Sequence, residues 1–83
     1  MSIQPTPSMI ADDAIESVGY GKEHARWLSA LMVAIHNDMK HGNGFKVLDL
    51  ASLGQYLADD CTNYLEREQT RLKGELEQAE AAQ

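Results

Sequence analysis

The stretch LDLASLGQYLADDCTNYLEREQTRLKGELEQAE, residues 48–80, decides the fold. Its apolar residues fall at Leu50, Leu53, Leu57, Cys61, Leu65, Leu72 and Leu76, with Tyr64 on the flank. The early intervals of three and four put them on one stripe of an α-helix. Strand alternation fails, because Asp59 and Asp60 are adjacent and so are Tyr64 and Leu65. No proline interrupts the run, and most other positions hold good helix formers. Gly54 and Gly74 are the exceptions, each costing roughly 1 kcal/mol relative to Ala. A helix over 48–80 is about 50 Å long.

Reading outward toward the N-terminus, Phe45-Lys46-Val47 re-enters the core, and His41-Gly42-Asn43-Gly44 ends a preceding helix. Gly and Asn readily take the left-handed conformation at such a C-cap. That helix is predicted over about residues 22–41. Leu28, Leu31, Met32, Ile35 and Met39 form its amphipathic face, widened by Trp27, Val33 and Ala34. The short connection makes the two helices antiparallel neighbours. Asp49, or Ser52 with Gln55, is the expected cap of the second helix.

Gly19-Tyr20-Gly21 reads as a break. Before it, residues 9–18 suit a short separate helix, with Ser8 as its N-cap and Asp12 and Asp13 near its positive end. Pro5 and Pro7 disfavour helix in the residues preceding them, so 1–8 reads as a flexible tail. Residues 9–80 then form a single helical domain, and 81–83 fray.

On these boundaries the first helix reaches about 30 Å and the second about 50 Å. The turns carrying Leu72 and Leu76 lack cover. Either residues 9–18 fold back along the overhang, or a second copy shelters it. A lone hairpin buries one stripe per helix, too little for most small domains. An all-α antiparallel hairpin that dimerises with two-fold symmetry into a four-helix bundle is therefore expected. Its core and dimer interface take the two apolar stripes together with Trp27 and Tyr64.

Bulk properties narrow the function. The chain has 83 residues and a net charge of −6, which argues against direct nucleic-acid binding. The lone Cys61 excludes an internal disulfide and reads as a small buried hydrophobe in a reducing cytoplasm. Met1–Pro7 lacks a basic and apolar leader, and no run approaches the ~20 apolar residues of a membrane span. A cytoplasmic protein without membrane contact is expected.

Chemistry-bearing patterns are weak. His36 and His41 diverge by about 140° on a helix, and His24 lies turns away, so surface or cap histidines are the ordinary reading and no metal or cofactor is expected. Asp59 and Asp60 point about 100° apart and do not share a site. Gly19-Tyr20-Gly21-Lys22 lacks the pattern of a phosphate-binding loop. These spacings predict no enzyme. Tyr20 and Tyr56 are candidate partner anchors, because aromatics dominate interface hot spots, and Asp59, Asp60, Glu66 and Glu68 form an acidic candidate surface. The expected function is protein–protein binding as a regulator, adaptor or inhibitor. An acidic nucleic-acid mimic and a small-ligand binder with a pocket between subunits are the alternatives.

Leu57→Asp or Leu65→Asp places a charge on the inward stripe, where it has no partner. Loss of helical circular dichroism and of cooperative melting is the expected outcome. Unchanged melting in either variant would put the stripe elsewhere.

Overall fold

Residues 4–82 are described by a computed structural model, in which two helices are joined by residues 42–46. Helix α1 spans Pro7–His41 and helix α2 spans Val47–Ala81, 35 residues each. They pack as an antiparallel hairpin, a rod of 61 × 18 × 16 Å. No strand occurs among the described residues.

The two rods are equal, which overturns the expected mismatch of about 22–41 against 48–80. Gly19-Tyr20-Gly21 does not break the chain, and residues 9–18 are not a separate helix. They continue α1 alongside the end of α2. Leu72 is half-buried as a result, while Leu76 stays 46% exposed. Packing along the seam outweighs the local cost of two glycines in one helix. A Cβ built on Gly21 would meet Cδ1 of Leu65 at 3.5 Å, and one on Gly54 would meet Leu31 and Leu28 at 3.7 and 3.8 Å, ordinary contact distances at which alanine also fits.

The caps also differ from expectation. Thr6, not Ser8, opens α1: its Oγ1 accepts a hydrogen bond from the Met9 amide at 3.1 Å. Pro7 follows at the first helical position, where a missing N–H costs nothing. Pro7 and Ser8 thus belong to the helix and not to a tail, and Met1–Ile3 lie outside the described residues. At the turn, Gly42 is extended and Gly44 is the residue with positive φ, 67°. Asp38 organises this turn. Its carbonyl accepts from the amides of Gly42 at 3.0 Å and Gly44 at 3.1 Å. Its Oδ2 accepts from the Lys46 amide at 2.8 Å. Lys46 is the N-cap residue of α2 and makes no side-chain cap, so neither Asp49 nor Ser52 plays that part. Ala81 ends α2, and Gln83 lies outside the described residues.

The seam repeats in sevens. On α1 the inward positions are Ile10, Ala14, Ser17, Gly21, His24, Leu28, Leu31, Ile35 and Asp38. Steps of four and three alternate along that whole series, the spacing of a coiled-coil seam. On α2 the seam runs Leu50, Gly54, Leu57, Cys61, then passes from Tyr64 to Leu65 and on through Glu68, Leu72, Glu75 and Ala79. The one-residue shift is what a straight helix accumulates at ~20° per heptad over about five heptads. Much of this seam is small or polar. Ala79 is the one buried hydrophobic residue among those described, and no large side chain is fully buried.

Nothing lies within 4 Å of a Cβ built on Gly19 or Gly74, and both sit in helix interiors. Gly19→Ala and Gly74→Ala are each expected to stabilise the fold by about 0.5–1 kcal/mol. That corresponds to a rise in Tm of several degrees at fixed concentration, on the order of 4–8 °C per kcal/mol. Gly44→Ala, at positive φ, is expected to lower Tm.

Candidate functional site

The hairpin has two long edges where α1 and α2 meet solvent together, and they differ in chemistry. One is polar. Tyr20 donates from its hydroxyl to Oδ2 of Asp60 at 3.1 Å, linking the helices. Its ring stacks on His24 at 4.2 Å and lies tilted against Tyr64 at 4.0 Å, and Trp27 lies 4.9 Å beyond His24. His24 is buried, 5% exposed, and is not the surface or cap histidine expected. Its Nδ1 is 3.1 Å from the Tyr20 carbonyl, which can only accept, so Nδ1 carries a proton. The other ring nitrogen faces Asp60 at 3.8 Å. Burial, and then the hydrogen bond to Asp60, raises the Tyr20 phenol above its ordinary pKa.

Toward the open end the same edge is held by Arg71. Its guanidinium takes both oxygens of Glu68 at 2.8 and 3.0 Å, Glu75 at 2.9 Å and Asp13 of α1 at 3.2 Å. Glu68 also accepts from the hydroxyl of buried Ser17 at 3.3 Å. The hydrogen bonds from Arg71 hold the Glu68 carboxyl below its usual value, against a smaller opposing push from burial. The same bonds, from Glu68 first and Asp13 second, raise the Arg71 guanidinium.

The other edge is mostly apolar. On α1 it presents Ala11, Val18, Ala25, Met32 and Met39, one residue every seven. On α2 it presents Ala51, Ala58, Leu65 and Leu72, flanked by Gln55, Thr62, Gln69 and Leu76. The matching positions of α1 on the polar edge are Asp13, Tyr20, Trp27 and Ala34, and farther out Glu16 and Glu23 there correspond to Ile15 and Lys22 here. Side chains at seven-residue spacing share a side of a helix, so this is a continuous apolar strip about 40 Å long. Near the open end it sinks into a groove of about 460 Å³ between the helices. Ala14, Ser17, Val18 and Gly21 form one wall, Leu65, Glu68, Gln69 and Leu72 the other. Near the turn it bulges, with Met32 50% and Met39 68% exposed.

The expected site residues divide across this geometry. Leu28, Leu31, Ile35, Leu50, Leu57, Cys61, Tyr64, Leu65 and Leu72 are partly covered within the hairpin. Trp27, Met32, Met39, Leu53 and Leu76 lie on its exposed surface. Of the proposed partner contacts, Tyr20, Asp60 and Glu68 are engaged on the polar edge, whereas Tyr56, Asp59 and Glu66 face outward. Ser17 and His24 are seam residues that the leucine pattern alone does not reveal. Counting backwards from Leu28 by four and three, through the glycines, reaches both.

Among the described residues, no group of three or more His, Cys, Asp or Glu is placed to hold a metal ion, and no helix is long and apolar enough to cross a membrane. Comparison with protein-family models, with curated proteins and with solved structures gave no match.

The Glu68 shift gives a pH dependence. A carboxyl whose folded pKa lies below its ordinary 4.5 stabilises the fold above that value, and the contribution is lost as pH falls through the folded pKa. Urea midpoints are therefore expected to fall on acidification below about 4.5. Glu68→Gln is expected to lower the midpoint at neutral pH and flatten that fall. Parallel curves for the two proteins would remove Glu68 as the source.

Proposed function

We propose that this chain is a non-catalytic binding protein. It pairs with itself into a four-helix bundle and acts by engaging another protein as a regulator, adaptor or inhibitor. The observation that carries this reading is the uncovered apolar strip on a hairpin with almost no interior. The chain exposes 6548 Å², where a compact monomer of its 9.2 kDa would expose about 4,900 Å². Its radius of gyration is 18.7 Å, against about 12 Å for a compact domain of this length. The excess of roughly 1,600 Å² exceeds the ~800 Å² that one partner contributes to a standard interface.

Pairing leaves other surfaces for a target. Phe45 is 88% exposed at the turn, and Tyr56 is 69% exposed on the outer side of α2. Neither packs in the seam, and both are residue types suited to anchoring a partner. An acidic mimic of nucleic acid has less support, because Asp60 and Glu68 are held by Tyr20 and Arg71 and do not form an open anionic row.

Light scattering coupled to size exclusion tests the pairing. The expected result at micromolar concentration is twice the chain mass of 9.2 kDa, with helicity that falls on dilution. A stable, fully helical monomer would overturn it. Capture of a specific protein by wild type, lost with Phe45→Ala and Tyr56→Ala together, is the expected sign of a target surface.

A further inference from the structure

We infer that a second copy of this chain seats on the apolar edge of the first and runs antiparallel to it, with the two-fold axis at Ala25. This rests on the pairing proposed above and names its face and direction.

Three observations converge on that arrangement. The strip Ala11, Val18, Ala25, Met32, Met39 is centred on Ala25, close to the midpoint of α1. Ala25 and, across from it, Ala58 make a narrow waist there, so two copies can approach closely at the axis. Shape comes next. A two-fold axis at Ala25 exchanges Val18 with Met32. The protruding Met32 of one copy then meets the groove walled by Val18, Gly21, Leu65 and Leu72 of the other. Running the copies parallel would set groove against groove and Met39 against Met39.

Charge selects the same direction. The open end of the rod carries Asp12, Asp13 and Glu16 on α1 with Glu75, Glu77 and Glu80 on α2, against Arg71 and Lys73. The turn end is balanced, Lys40 and Lys46 against Asp38 and Asp49. Antiparallel copies set each net-acidic end beside a balanced one, whereas parallel copies stack acid on acid. Glu68, the one acid lining the groove, is already held by Arg71 and Ser17, so burial of this edge strands no carboxylate there.

The test combines distance and disruption. Asn43→Cys at the turn, in a Cys61→Ala background, carries one spin label per chain. Antiparallel seating puts the two labels about 50 Å apart, from ~1.5 Å per residue on either side of the axis. Parallel seating brings the two turns together, at a backbone separation near the ~10 Å of packed helices. A short distance overturns the direction. Ala25→Glu, at an exposed position, sets two carboxylates against each other at the axis and is expected to weaken association roughly tenfold or more. Asn63→Glu, on the far side of α2, is expected to leave it unchanged. A dimer indifferent to Ala25→Glu overturns the face. A wild-type monomer showing no intermolecular distance would instead remove the pairing itself, so the failures are distinguishable.

Discussion

Everything in this molecule depends on two helices of equal length lying against each other along their whole span. Gly21 and Gly54 sit in that seam against Leu65, Leu28 and Leu31. The cost is a thin interior. With glycine, serine, alanine and histidine in the seam, few apolar groups are enclosed, and the leucines that touch them remain partly wet. A core of this kind supplies little hydrophobic stabilisation, since that term scales with the apolar area removed from water.

The two edges divide the remaining work. On the polar edge, Arg71 gathers three carboxylates and the Tyr20–Asp60 bond ties α1 to α2, so that edge is satisfied within one chain. Such exposed ion pairs contribute modestly to stability but fix register, because a one-residue slip separates every partner. The opposite edge has no such internal satisfaction. It offers alanine, valine, methionine and leucine, which gain only from contact with another apolar surface.

Helix type, antiparallel pairing and the leucine stripe of α2 are legible from three- and four-residue spacing. The N-terminal half of α1 is not. Gly19 and Gly21 carry a local preference against helix of about 1 kcal/mol each, and on that preference alone one rod divides into two. Pairing with α2 along the whole length of α1 outweighs it, with Gly21 in the seam against Leu65. The apparent mismatch in helix length has the same origin, since it counts only the residues beyond the glycines. His24 is obscure for a related reason. A seam histidine looks like a surface residue until the heptad is carried through the glycines and its ring is found between Tyr20 and Trp27. The polar edge is equally hidden, since Asp13 and Arg71 lie 58 residues apart and no local pattern joins them.

The turn built on Asp38 bears on how the chain reaches this shape. Its side-chain bond to Lys46 spans only eight residues, so forming it closes a small loop at little entropic expense. Each later contact, through Tyr20–Asp60 to Arg71–Asp13, closes a wider one unless the inner ones already stand. Loop entropy alone therefore favours a zip drawn from the bend, with the two termini the costliest to join.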